Sequence, residues 1–277
     1  MEGSEVVVRW LPGAERLAAS HRAAGQQLDN LCAAHWASIL LRADGIDADP
    51  VSLAREAGTI LPPGDPHRFI PEGADPNQDY GATLPVAGDA AEGGTSIHGV
   101  IEAVASASGG AKALIPLRVS WSADRVAAVI DLCVAHPSWE AVPLANLRTG
   151  SLWGTRLPLS DAMAWLGGGQ VEPPAPEWDV GHFVTIAGTA DGPSRSMLII
   201  RDSYPAFGWD AHHLQPTEAI AAALERGDGA QGGIALYAGT EVRSDVERAA
   251  KDAGFQIEAW DNGTPWPPDI PGGGADR

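Results

Sequence analysis

The chain has 277 residues, 44% hydrophobic and 19% charged, enough apolar side chain for one large buried core and too much for wholesale disorder. Its 36 acidic residues against 18 basic ones give a net charge of −18, which opposes a polyphosphate partner, so no nucleic acid is expected. Two cysteines, Cys32 and Cys133, are too few to staple a secreted fold, and the opening MEGSEVVVRWLPGAERL lacks a signal-peptide pattern. No stretch approaches the roughly 18 apolar residues of a membrane span. The expectation is a cytoplasmic protein with reduced thiols and no membrane partner.

Residues 29–43, DNLCAAHWASILLRA, read as a helix. Asp29 or Asn30 suits its N-cap, Leu31, Trp36, Ile39 and Leu40 supply apolar positions, and Gly45 follows its end, which puts Cys32 in the first turn. Helical patterns at 50–57 and 96–108 flank a Pro/Gly/Asp-rich stretch, 61–94, that reads as a loop-rich insertion. A strand at 112–119, a helix at 122–135, a strand near 141–148 and a helix near 160–166 follow. The proline-rich EPPAPEWDV leads into a β-branched strand at 182–188, and TADGPSR turns the chain into a partner strand at 196–204. A helix at 216–226, a strand at 233–238, a helix at 243–253 and a strand at 255–260 complete the pattern. One domain is expected over 1–262, α+β in class, with a flexible tail at 263–277.

The chemistry-bearing residues are far apart in the chain. A thiol attacks a carbonyl as thiolate, and the free N–H groups of a helix N-terminus favour that charge, which suits Cys32 to a nucleophile's role. His182 opens one strand of the downstream hairpin and Asp202 ends the next, so antiparallel pairing brings base and orienting acceptor together. Just upstream of the cysteine, Gln26 or Gln27 supplies a side-chain amide for an oxyanion, and the sequence leaves open which.

QQLDNLCAAHWAS resembles the active-site helix of papain-like cysteine peptidases, with glutamine six residues before the cysteine, a small residue after it and Trp36-Ala37 at +4 and +5. GHFVTIAG followed by MLIIRDSYP resembles the second half of the same superfamily, and the His-Phe-Val start and the aspartate are most similar to its double-glycine leader peptidases and their soluble relatives. The chain departs from those peptidases at Ala33, where they usually carry glycine, and at Asn30-Leu31 before the cysteine. The resemblance implies a cysteine-bearing helix packed on an antiparallel sheet that carries His182 and Asp202. It also implies acyl transfer on a peptide or amide, such as a precursor peptide, through a thioester that water or a second amine resolves. A papain-like domain that binds a peptide or protein without turning it over is the alternative.

Trp36 and Trp178 are the aromatic residues expected to line a substrate cleft. Cys133 sits on an amphipathic helical face with Val126, Val129 and Ile130, which marks it as packing, and His35 reads as a packing or groove residue. Ser203 and Tyr204 are expected to support the third triad position. Adjacent His212 and His213 project differently and find no third ligand at a recognisable spacing, so no metal or other cofactor is expected.

Overall fold

Three strands carry almost unbroken apolar runs, and each is covered on both faces: β2 (Lys112–Arg118), β3 (Val142–Arg148) and β7 (Gly233–Gly239). The computed structural model describes residues 5–266, the side chains of Pro66 and His67 excepted. Around those strands stand β1 (Val7–Trp10), β4 (Gly181–Asp191), β5 (Ser196–Arg201), β6 (His212–Pro216) and the two-residue β8 (Gln256–Ile257). They form an eight-stranded antiparallel sheet in which seven strands run in the order β6-β5-β4-β3-β7-β2-β8 and β1 pairs with β4 off that path. The long β4 pairs first with β3 and then with β1, changing neighbour near the bulge between Ile186 and Gly188. Only glycine fits at 188, because an added Cβ would run into the carbonyl oxygen of Arg9.

The period of two along each strand divides the core. Ile115, Leu117, Ala145, Leu147, Val184, Ile186 and Leu236 face one side, where α5 (Ala123–Ala135), α7 (Thr217–Glu225) and α8 (Arg243–Asp252) cover them. Leu114, Leu144, Phe183, Ala235 and Tyr237 face the other, beneath α2 (Cys32–Ala43), α3 (Pro50–Glu56) and α4 (Ile97–Ala107). Helices α1 (Ala14–Ala24) and α6 (Leu159–Leu166) pack beside them. The class is therefore α+β, with a helix carrying Cys32 against an antiparallel sheet carrying His182. Among the described residues no helix is long and apolar enough to cross a membrane.

The structure adds β1, α1 and β6 to the elements expected from sequence, ends the second hairpin strand at Arg201 and shortens the last strand to Gln256–Ile257. The cysteine helix starts later than expected. Asn30 takes the left-handed conformation at φ 64° and Leu31 caps the helix, so α2 opens on Cys32 itself. Asp29 does not cap it, since its Oδ1 accepts from the N–H of Asn77 in the insertion. The expected tail from 263 begins instead as part of the wall of the fold. Asn262 Nδ2 donates to the Thr95 carbonyl at 2.9 Å, Oδ1 of the same amide accepts from Ile97 N, and Thr264 is buried. Residues 267–277 lie outside the described residues.

Candidate functional site

The turn before α2 is built by long-range hydrogen bonds. Asn77 Nδ2 donates to the carbonyls of Gln26 (3.3 Å) and Gln27 (3.0 Å), its carbonyl accepts from Asp29 N at 2.7 Å, and Tyr80 Oη donates to the Asp29 carbonyl at 2.9 Å. The 61–94 insertion thus clamps the peptide that leads into the cysteine. Half-buried Cys32, as the first residue of α2, presents its sulfur where the N–H groups of an opening helical turn lack intrahelical acceptors and favour negative charge.

His182 arrives from the opposite direction, as the second residue of β4. The β4–β5 register sets Thr185 against Arg201, bringing the end of β5 alongside the start of β4. His182 Nε2 lies 3.2 Å from Asp202 Oδ1, with both side chains almost wholly buried. The same oxygen accepts from Tyr204 N at 3.1 Å, which fixes the carboxylate.

Burial alone would lower the His182 pKa, but the charge and hydrogen bond of Asp202, joined by the hydrogen-bonding thiol of Cys32, reverse the sign and push it up to about 10. Asp202 responds in the opposite sense. Burial would raise it, yet His182 and, more weakly, His213 hold its carboxyl well below the usual carboxylate range. The pair therefore favours an imidazolium beside a carboxylate. Trp178 covers it, meeting the His182 ring edge-on at 4.7 Å between centroids and Tyr204 at 5.4 Å.

Cys32, His182, Gln27, Asn30 and Trp178 line one open cleft of about 720 Å³. Its far wall comes from Pro62, Phe69 and residues 90–94 of the insertion with the adjoining Thr95, closed by Arg226, residues 228–230 and residues 262–264. Near Gly181, Asp228 accepts from Arg226 at 2.6 Å and from Arg148 at 2.9 Å, and Arg148 also holds Asp179, giving the rim paired charges of both signs.

Of the two candidate oxyanion amides, the buried one is Gln27. Its Oε1 accepts from Ser203 Oγ at 2.6 Å and its Nε2 donates to Tyr204 Oη at 3.1 Å, so the amide cannot turn freely and one N–H remains beyond those contacts. Gln26 points away, donating to the Asp75 carbonyl at 2.6 Å. The sequence leaves the two open, and the left-handed Asn30, which redirects the chain just before the helix, accompanies the turn that sends their amides in different directions.

Of the two tryptophans proposed for a substrate cleft, Trp178 lines this cleft and Trp36 does not. Trp36 is fully buried between α2 and the sheet and donates from Nε1 to the Phe183 carbonyl at 2.9 Å. On a helix this deeply buried, a position one turn from Cys32 faces the core. His35 is also a packing residue, edge-on to His21 and Trp36. Cys133 lies in the core, where burial pushes its thiol up to about 12. His212 packs against Arg201, and His213 stands behind Asp202. Among the described residues no group of three or more His, Cys, Asp or Glu side chains is placed to hold a metal ion. Sequence reasoning missed Asn77 and Tyr80 altogether, as they sit in a stretch without periodicity and act across about 50 residues of chain.

A family described as a family of unknown function, DUF6885, matches residues 11–261. The comparison with curated proteins found no match.

Proposed function

For this chain, which belongs to the DUF6885 family, we propose a papain-like cysteine acyl transfer on a peptide or amide. The observation that carries the reading is the meeting, in one cleft, of a thiol at the first residue of a helix with His182, whose Nε2 lies 3.2 Å from the buried carboxylate of Asp202. Cys32 Sγ attacks the substrate carbonyl carbon, and the thiol proton resides on His182. The carbonyl oxygen becomes an oxyanion that accepts from Cys32 N–H and the free N–H of Gln27 Nε2. As the intermediate collapses, His182 gives its proton to the departing amine nitrogen, the C–N bond breaks and a Cys32 thioester remains. Water then yields the acid, or a second amine yields a new amide, with His182 accepting the incoming nucleophile's proton.

Asp202 holds the imidazole in orientation and stabilises its cationic form. Trp178 keeps bulk water off that pair, which strengthens its electrostatics. The open cleft suits an extended peptide, and the insertion supplies one of its walls.

The test is acylation by p-nitrophenyl acetate, read as a burst of p-nitrophenol and by mass mapping of the acylated peptide. The reading expects an acetyl group on Cys32 that is lost from Cys32→Ala and from His182→Ala. A folded protein that forms no Cys32 acyl adduct over hours, yet retains a peptide ligand, would instead favour a binding domain without turnover.

A further inference from the structure

Behind Asp202, on the side away from His182, lies a second histidine that the proposed chemistry has not used. His213 and Gln215 are two residues apart on β6, so their side chains share one face of the strand, and both are buried. Two backbone groups fix the amide of Gln215: Trp153 N donates to Oε1 at 2.8 Å, and Nε2 donates to the Trp153 carbonyl at 2.6 Å. The reverse orientation would set N–H against N–H and oxygen against oxygen.

Nε2 also lies 3.0 Å from His213 Nδ1 and, with its orientation set, must be the donor. His213 Nδ1 is therefore an acceptor without a proton, and the ring's hydrogen sits on Nε2. That nitrogen is buried, makes no hydrogen bond within the usual distance, and stands 3.8 Å from Asp202 Oδ2. A buried N–H directed at a carboxylate in a medium of low polarity still exerts a considerable attraction at that separation.

We propose that His213 is a positioning residue: locked in its Nε2–H tautomer by Gln215, it holds Asp202 from behind so that Oδ1 stays on His182. The positioning role rests on the acyl-transfer reading above, whereas the tautomer and its effect on the Asp202–His182 contact do not. The backbone of the 153 loop thus reaches Cys32 through Gln215, His213, Asp202 and His182 in sequence. On the carboxylate, Asp202 Oδ1 receives His182 and Tyr204 N while Oδ2 faces His213, so rotation about the carboxylate axis is resisted from both ends.

Two substitutions separate this role from simple packing. His213→Phe keeps a flat ring and removes the donor, whereas His213→Gln is a poorer shape match and retains an N–H at about the position of Nε2. The readouts are the nitrogen chemical shifts of His213, the proton resonance of His182 Nε2–H, and the Cys32 acylation rate with p-nitrophenyl acetate.

The proposal expects protonated Nε2 and bare Nδ1 on His213 in the wild-type protein. It expects the His182 resonance to be lost to exchange in His213→Phe and kept in His213→Gln, with acylation about tenfold slower in the first and within about threefold of wild type in the second. A proton on Nδ1 in the wild-type protein would overturn it, as would a His182 resonance untouched in both variants or a Phe variant that outperforms Gln. If the Phe variant does not fold, the wild-type tautomer and the Gln variant still decide. A wild-type protein that is never acylated refutes the acyl-transfer reading while leaving the two NMR measurements to judge His213.

Discussion

Ser203 Oγ donates a 2.6 Å hydrogen bond to Gln27 Oε1, joining the residue after the proposed acceptor carboxylate to the amide proposed for the oxyanion. Gln27 N also donates to the Ser203 carbonyl at 3.3 Å, and Tyr204 Oη accepts from Gln27 Nε2. The tripeptide Asp202-Ser203-Tyr204 therefore touches both halves of the proposed site, His182 through its first residue and the amide of Gln27 through its other two.

This relationship separates the two glutamines. Gln27→Ala is expected to slow acylation of Cys32 by p-nitrophenyl acetate by about 100-fold, the usual cost of removing one oxyanion donor. Gln26→Ala should stay within about twofold, because its amide is engaged with Asp75. Alkylation by iodoacetamide, which forms no oxyanion, should change far less in Gln27→Ala. Equal losses in the two variants would remove Gln27 from its assigned role.

Asn77 tests whether the insertion builds the turn before the cysteine. In Asn77→Asp a carboxylate replaces the amide that now donates to the Gln26 and Gln27 carbonyls, setting oxygen against oxygen. Tm is expected to fall by roughly 2–6 °C and Cys32 acylation to fall with it, both by more than in Asn77→Ala. Two variants with wild-type Tm and rate would show that the clamp is dispensable.

Trp178 covers the buried pair, so Trp178→Ala should admit water to it. The expected outcome is faster solvent exchange of the His182 Nε2 proton and acylation slowed by about tenfold, with Tm nearly unchanged because Trp178 is only half-buried. Unaltered exchange would assign the ring to substrate contact alone.

Three buried histidines predict acid lability. Burial, the largest cause in each, lowers His21 to about 4, His35 to about 3 and His212 to about 4, with Arg201 assisting at His21 and His212. A folded-state pKa below the unfolded value of about 6.5 means that the unfolded chain binds protons first. The stability these groups contribute is present above pH 6.5 and lost as pH falls through 4 and 3. Asp202, also depressed, adds to the loss below its ordinary range. His182 has the opposite sign: its contribution is complete below pH 6.5 and lost as pH rises through about 10. Calorimetric Tm should thus drop on the order of 10 °C between pH 6.5 and 4, and by less in His35→Phe.

The parts legible in the sequence were those with local signals. Amphipathic period and β-branched runs gave α5, β2, β3 and β7 to within a residue and β4 and β5 to within three, and the motifs around Cys32, His182 and Asp202 lie close together in the fold. The strand β1 was not legible, because its four residues are all exposed and find their partners, such as Asp191 for Val7, about 180 positions away. The choice between Gln26 and Gln27 stayed open for a similar reason. Asn30 bends the chain into a left-handed conformation that no periodicity announces, and Asn77, far along an irregular stretch, holds the bend in place. Trp36 shows the limit of helical spacing, which gives the face of a residue but not how deeply that face is buried.

The central claim is that a thiol at the start of α2 is activated by His182, and alkylation measures it most directly. The folded protein is treated with limiting iodoacetamide near pH 6 and the adducts on Cys32 and Cys133 are quantified by mass spectrometry, in wild type and in His182→Ala. The account predicts Cys32 labelling at least tenfold faster than a free peptide thiol, little on core-buried Cys133, and a loss of that advantage in the variant. A Cys32 that reacts no faster than the peptide thiol, or at the same rate with and without His182, would contradict it.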